Sequence, residues 1–105
     1  MNIMFFTTSP VMSNLVKNIL ATDNVTISTN PNSFNSNGYD LIMIDQPIFN
    51  RNISEYSLPI LLLSTATEDN LYCHFLYELN PKGICLAKPF HRDDLISTIN
   101  KVMAQ

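Results

Sequence analysis

Short runs of apolar residues recur along the chain, and polar, turn-forming segments separate them. Four such runs occupy residues 3–6, 39–45, 60–63 and 84–87. Continuous apolar runs of this length are typical of strands that are buried on both faces of a parallel sheet. Residues 25–28 alternate only weakly between apolar and polar side chains, which indicates an edge strand. The pattern therefore predicts five strands.

Helical spacing of apolar residues appears in three of the intervening segments. Ser9 is a suitable N-cap and Pro10 suits the first helical position, so a helix is predicted over about residues 11–21. Thr67 can cap a second helix over about residues 68–80. A third apolar stripe predicts a helix over about residues 92–104. Strands that alternate with helices in this way imply parallel βαβ units with right-handed crossovers.

Two long segments between strands lack a helical pattern. Residues 29–38 are dominated by asparagine, serine, glycine and proline, and residues 46–57 are interrupted by Pro47 and by two asparagines. Such residues favour turns and disfavour helix interiors. Both segments are therefore predicted to be loops or single turns.

Composition narrows the class of protein. The chain has 105 residues, of which 46% are hydrophobic and 14% are charged, so residues 1–105 are expected to form one folded domain. A net charge of −3 provides no basic stripe for nucleic acid. The longest apolar run is interrupted by Pro59 and is too short to span a bilayer. We expect a cytoplasmic domain without membrane contact, in which Cys73 and Cys85 are reduced core residues without a redox role.

Polar side chains follow four of the predicted strands. In a parallel sheet the carboxyl ends of the strands share one edge, where binding sites form. The residues expected there are Thr7, Thr8, Asp45, Ser64, Thr65 and Lys88. The sequence has no Ser/His/Asp triad, no glycine-rich phosphate loop, no CxxC pair and no histidines at ligand spacing, so no catalytic residue and no metal site are predicted.

Three segments carry a resemblance to a known family. They are Tyr-Asp-Leu-Ile-Met-Ile-Asp at 39–45, Leu-Pro-Ile-Leu-Leu-Leu-Ser at 58–64, and Gly83 through Leu-Ala-Lys-Pro-Phe at 86–90 with the helix that follows. In this order and spacing the chain resembles the receiver domain of two-component response regulators along nearly its whole length. The resemblance implies a flavodoxin-like, CheY-like α/β fold. Its parallel sheet would have the strand order 2-1-3-4-5, with the second and third helices shortened or replaced by loops.

The resemblance also implies roles for individual residues. Asp45 matches the aspartate that accepts a phosphoryl group, Ser64 the hydroxyl that senses it and Lys88 the lysine that pairs with it. The acidic pair that holds magnesium in the family is replaced by Thr7 and Thr8. Cys85 stands where the family has an aromatic switch residue.

Loss of the acidic pair changes the expected chemistry. Magnesium prefers anionic oxygen ligands, and phosphoryl transfer to a carboxylate relies on the metal to neutralise charge. Weak or absent magnesium binding and no other cofactor are therefore expected, with Asp45 and Lys88 forming an ion pair. Together with the Gly-x-Cys-Leu-x-Lys-Pro pattern beginning at Gly83, this resembles the degenerate first receiver of hybrid sensor histidine kinases of the BarA type.

An excess of apolar residues in the segment 71–79 points to a contact surface. The excess could instead cover a sheet face that has lost two helices. We predict that the contact surface includes Met12, Tyr72, Leu76 and Cys85. The expected partner is a histidine kinase, receiver or phosphotransfer domain of a phosphorelay.

Three hypotheses for function remain open from the sequence. The first is a non-catalytic docking or linker module, which Thr7, Thr8 and Cys85 favour. The second is a competent receiver phosphorylated on Asp45. The third, a phosphocarrier of sugar transport, would need a cysteine or histidine just after the first strand, where Thr7 and Thr8 lie.

Overall fold

In the computed structural model, residues 1–31, 34–49, 57–65 and 71–104 are described. They form five strands and three α-helices. The elements are β1 (Asn2–Phe6), α1 (Pro10–Ile19), β2 (Asn24–Ser28), β3 (Leu41–Asp45), β4 (Ile60–Ser64), α2 (Leu71–Leu79), β5 (Gly83–Ala87) and α3 (Arg92–Met103). A single 3-10 turn, Gln46–Ile48, follows β3.

The strands form one parallel sheet with the order β2-β1-β3-β4-β5, as predicted. β3 and β4 lie at its centre, and every residue of both strands is buried. Full burial on both faces explains why these strands read as continuous apolar runs in the sequence. β2 and β5 are the two edge strands.

One face of the sheet packs against α1 and α3. Its core includes Phe5, Val16, Leu63 and Leu95, all of them buried. α1 begins as predicted, with Pro10 at its first turn and the Ser9 hydroxyl accepting a hydrogen bond from the Met12 amide at 3.1 Å. α3 begins after His91, whose amide donates to the Asp94 carboxylate at 3.1 Å.

The opposite face is covered by α2 and by loop side chains. Phe34 packs edge-on against Phe6 at 5.3 Å between ring centroids, and it also contacts Tyr39 at 5.4 Å. Phe49 packs against Tyr72 of α2 at 5.6 Å. Aromatic side chains from loops therefore cover part of the face that helices would otherwise cover.

The predicted loops agree with the structure where it describes them. No helix occurs in the described part of residues 29–38, and residues 46–49 contain only the 3-10 turn. Residues 50–56 of the second loop, and the predicted start of the second helix at Thr67, lie outside the described residues. Within the described residues, no helix is long and apolar enough to cross a membrane.

The two cysteines differ from the prediction. Cys73 of α2 and Cys85 of β5 were expected to be reduced, but they are joined in a disulfide with their Cα atoms 6.1 Å apart. The apolar surroundings that suggested inert thiols are present, since both residues pack against the core beneath α2. Burial in a core does not by itself separate a free thiol from a crosslink.

Candidate functional site

Asp45 is the centre of a polar cluster at the carboxyl edge of the sheet. It is the last residue of β3 and is only 4% exposed. Its Oδ1 atom forms an ion pair with the Lys88 ammonium, which follows β5. Its Oδ2 atom accepts a hydrogen bond from the Thr7 hydroxyl at 3.0 Å. Both carboxylate oxygens are therefore engaged by donors from the same chain.

Thr7 is held in place by bonds that fix the direction of its hydroxyl. Its amide donates to the carbonyl of Ser28 at 3.0 Å, which extends the pairing of β1 with β2. Its Oγ1 atom accepts a hydrogen bond from the Ser9 amide at 3.1 Å. Because that amide donates to a lone pair of Oγ1, the hydroxyl hydrogen remains available for Asp45.

Thr8 is exposed. It lines a shallow cavity of about 160 Å³ beside α1. The lining residues of that cavity are Thr7, Thr8, Ser9, Pro10, Ser13, Ile27 and Thr29. The structure therefore brings Thr7 to the carboxylate and places Thr8 on the surface.

The two hydroxyls after β4 bond to neighbouring strands and loops. Ser64 is buried, and its hydroxyl donates to the Leu86 carbonyl at 3.5 Å. Thr65 donates to the Gln46 side-chain oxygen through its amide at 2.8 Å and its hydroxyl at 3.3 Å. Gln46 is a site residue that sequence reasoning missed. Its position directly after Asp45 was the available signal.

Lys88 reaches Asp45 from a well-defined turn. Its amide donates to the Ser64 carbonyl at 2.8 Å, and the Lys88–Pro89 peptide bond is cis. Because β4 lies between β5 and β3, the Lys88 side chain spans the end of β4 to reach Asp45. Within the described ranges, no three histidine, cysteine or acidic residues are grouped so that they could hold a metal ion.

The residues predicted to form a partner surface do not lie together. Met12 packs against the core under α1 and α3, on the opposite side of the sheet from Leu76 and Cys85. Leu76 is completely buried, so its assignment to a contact surface was wrong. Its Cγ atom would come within 2.6 Å of a Cβ placed on Gly83, which accounts for the glycine there. Cys85 is half-buried and bonded to Cys73, whereas Tyr72 is 42% exposed.

The exposed apolar surface of α2 has a different membership. Of its nine residues only Leu76 is buried, and Leu71 and Tyr77 are 66% and 51% exposed. The large hydrophobic residues exposed on this helix are Leu71, Tyr72, Phe75, Tyr77 and Leu79. At the helical repeat of about 100° per residue, Leu71, Tyr72, Phe75 and Leu79 lie within one arc of about 100° around the helix axis, whereas Tyr77 lies on another side. We call Leu71, Tyr72, Phe75 and Leu79 the α2 face.

Comparison with solved structures identifies the fold. No family model and no curated protein sequence matches the chain. The structure is similar to NtrX from Brucella abortus, with a TM-score of 0.81 and 16% identity over 98% of this chain. It is also similar to the receiver domain of the sensor histidine kinase PA1611 from Pseudomonas aeruginosa, with a TM-score of 0.73, 17% identity and 99% and 98% of the two chains covered.

The fraction of a neighbour's chain that this chain covers is smaller where the neighbour is a longer protein. The chain covers 98% of a response regulator from Thermotoga maritima, with a TM-score of 0.71 and 18% identity over 99% of this chain. It spans only 26% of NtrX and 56% of the response regulator ChrA. At these identities the similarity establishes the fold alone. The chain has the CheY-like fold of response-regulator receiver domains.

Proposed function

We propose that this chain is a receiver-like module of a two-component phosphorelay that docks a protein partner and does not accept a phosphoryl group. The observation that carries the proposal is the engagement of both Asp45 oxygens, one by Lys88 and the other by Thr7. An acceptor carboxylate has to present a free oxygen to the phosphorus atom. Here the oxygen turned away from Lys88 is held by a neutral hydroxyl.

The donor set supports weak magnesium binding. The receiver domain of PA1611 was solved with a magnesium ion coordinated in its active site cleft. At the end of β1 this chain has Thr7, which already bonds to Asp45, and Thr8, which is exposed. Magnesium sites rely on hard, anionic oxygen ligands in octahedral geometry. Among the described residues of the cluster, Asp45 is the sole carboxylate.

Charge balance supports the same reading. The Lys88 ammonium already neutralises Asp45, and the cluster stays close to neutral without a cation. In a buried ion pair of this kind, the lysine balances the carboxylate charge and the further hydrogen bond satisfies its second oxygen, so no bound cation is needed. We infer that Asp45 and Lys88 here connect the ends of β3 and β5 and perform no chemistry.

The α2 face is the proposed docking surface. Apolar patches rimmed by polar residues commonly mark protein interfaces. The face combines two leucines with a tyrosine and a phenylalanine, and both aromatic residue types are enriched at interfaces. α2 contacts β5, and α3 contacts β5 from the opposite face of the sheet. According to the resemblance, receivers commonly contact partners through the surface that these three elements form. The partner would be a histidine kinase, receiver or phosphotransfer domain.

We further propose that the module belongs to a hybrid sensor histidine kinase and resembles its degenerate first receiver, of the BarA type. Support comes from the replacement of the acidic pair by threonines and from the Cys-Leu-x-Lys-Pro pattern of β5 and the turn after it. The named neighbour PA1611 is itself a sensor histidine kinase with a receiver domain. The module would then act on the cytoplasmic side of a membrane-anchored parent.

A second function is favoured by the retained Asp45 and Lys88 pair. In this alternative, the chain is a competent receiver, and Thr7 rotates away when a donor binds. Incubation with acetyl phosphate and magnesium, followed by intact-mass measurement, separates the two readings. The proposal expects no added phosphoryl mass in the native chain or in Asp45→Asn. A phosphoryl adduct that is lost in Asp45→Asn would establish the alternative.

A further inference from the structure

The contacts that attach α2 to the rest of the described structure differ along its length. Its C-terminal end is fixed by Asn80, which is buried and whose side-chain amide donates to the Leu58 carbonyl at 3.2 Å. The Asn80 carbonyl also accepts the Gly83 amide at 3.0 Å. In the middle of the helix Leu76 fills the space above Gly83. These contacts secure the second half of the helix.

The first half of α2 has a covalent attachment. Cys73, in the first turn, is bonded to Cys85 in the middle of β5. β5 is an edge strand whose Cys85 is in register with Leu62 of β4. The crosslink therefore connects the exposed helix to the sheet next to the buried core. Leu71 and Tyr72, just before Cys73, are both exposed members of the α2 face.

We propose that the Cys73–Cys85 disulfide is a redox-controlled clasp that holds the α2 face in its docking conformation. This inference builds on the proposed function, since it assigns a regulation to the same surface. The chain contains these two cysteines and no others, so within one molecule the crosslink has one possible pairing. Redox state then selects between a fixed and a frayed first half of α2.

The reaction requires a dithiol reductant and proceeds by thiol–disulfide exchange. One thiolate of the reductant attacks the sulfur of Cys73 or Cys85, breaks the S–S bond and forms a mixed disulfide. The second thiolate displaces the bound cysteine sulfur and closes the reductant into a cyclic disulfide. The protein gains two electrons and two protons as two thiols, and the reductant loses the same number. A disulfide oxidant reverses the reaction.

The position of the crosslink determines what reduction changes. When the disulfide is reduced, Leu76 and the Asn80 contacts still fix the C-terminal half of α2. The core residues of β1, β3 and β4 stay packed. Local opening of a weakly attached segment costs less free energy than global unfolding. Reduction should therefore loosen residues 71–75, where the ring contact of Tyr72 with Phe49 remains but the crosslink is lost, and leave the central strands folded.

Amide hydrogen exchange of the full chain, with and without dithiothreitol, tests the proposal. The native oxidised chain should exchange slowly at Phe75 and Leu76. Reduction should accelerate exchange at these amides by at least about tenfold, while Phe5 and Ile44 in the buried strands remain protected, because local opening of the helix does not expose them. The double variant C73S/C85S should match the reduced chain and show no response to dithiothreitol.

Three outcomes would overturn the proposal. The first is alkylation of both cysteines by iodoacetamide after treatment with oxidised glutathione, which would mean that no disulfide forms. The second is equal exchange at Phe75 and Leu76 in the two redox states. The third is loss of protection at Phe5 and Ile44 on reduction, which would make the bond a staple of the whole fold. All three outcomes are measured on the native chain, so they do not depend on whether the C73S/C85S variant folds.

Failure of the proposed function would be visible separately. The same exchange measurement on Asp45→Asn should give the same redox response, because Asp45 lies outside the segment that reduction loosens. A phosphoryl adduct on Asp45 with a normal redox response would refute the docking-only function and leave the clasp intact. An unphosphorylated chain with no redox response would refute the clasp alone.

Discussion

The Thr7 hydroxyl donates a 3.0 Å hydrogen bond to the Asp45 carboxylate, across the adjacent ends of β1 and β3. Both residues are buried, at 2% and 4% exposure. In the receivers that this chain resembles, an acidic residue in this region would help to hold a cation near the same carboxylate. The hydrogen bond directs a neutral donor to the oxygen that Lys88 leaves unpaired, and it makes the cluster complete without a metal.

The Thr7 hydroxyl should therefore contribute to stability. Thr7→Val keeps the shape of the side chain and removes the donor, which leaves one oxygen of a buried carboxylate without its hydrogen bond. We expect the free energy of unfolding to fall by about 1–3 kcal/mol. Thr7→Ser keeps the hydroxyl and should lose less. Urea unfolding of both variants measures the difference, and equal stability of Thr7→Val and the native chain would contradict the assignment.

Lys88 should matter more than a surface lysine. Lys88→Met removes the cation that neutralises Asp45 and should lower the free energy of unfolding by about 3 kcal/mol, the lower end of the range for breaking a buried pair, because the Lys88 side chain is 21% exposed. Adding Asp45→Asn to this variant removes the uncompensated charge and should recover part of the loss. Lys101, exposed on α3, provides the matched control as Lys101→Met. If the two lysine variants are equally stable, the pair contributes nothing.

Gly83 and Leu76 should show strong coupling. Gly83→Ala places a Cβ within 2.6 Å of Leu76 Cγ and 3.1 Å of the Asn80 carbonyl oxygen. Overpacking of this kind costs about 1–3 kcal/mol. Leu76→Ala leaves a cavity and should cost about 2–5 kcal/mol. In the double variant the smaller residue at 76 makes room for the added methyl group, so the two losses should be less than additive in thermal or urea unfolding. Simple additivity would mean that the helix moves away from β5 instead.

The α2 face should control association. Leu71→Ser and Tyr72→Ser, at positions that are 66% and 42% exposed on the α2 face, should weaken binding to the neighbouring kinase or receiver domain by about 1–3 kcal/mol in calorimetry. Val11→Ser, at a position 78% exposed on α1, provides a control outside the face. Asp45→Asn should leave binding nearly unchanged. A loss of binding in Asp45→Asn with none in the α2 variants would show that the pocket, and not the helix, makes the contact.

The strands and the position of the site could be predicted from the sequence because each is a local signal with a fixed geometric consequence. β3 and β4 are buried on both faces and therefore appear as unbroken apolar runs. The carboxyl ends of parallel strands share one edge, so Asp45 and Lys88 were expected at the same edge of the sheet. Ser9 and Pro10 marked the start of α1 for the same kind of local reason.

The orientation of α2 could not be predicted because apolar residues surround it on nearly all sides. With leucine, tyrosine, cysteine and phenylalanine on several faces, the spacing did not reveal that Leu76 is the buried one. Only contact with Gly83 selects it. The grouping of Met12 with Cys85 failed because nothing local to either residue indicates the sheet face on which it lies. The disulfide and the direction of the Thr7 hydroxyl likewise depend on distances between elements.

The central claim is tested most directly by titrating magnesium, and then beryllofluoride, into the native chain and into the double variant T7D/T8D. NMR chemical shifts report the binding. The claim is that the site lacks the ligands for phosphoryl chemistry. The native chain should show no saturable shifts at Asp45, Ser64 or Lys88. The variant should gain saturable magnesium binding centred on residues 7, 8 and 45, since it restores two anionic ligands. Saturable magnesium and beryllofluoride binding by the native chain, with shifts centred on Thr7, Asp45 and Lys88, would contradict the account.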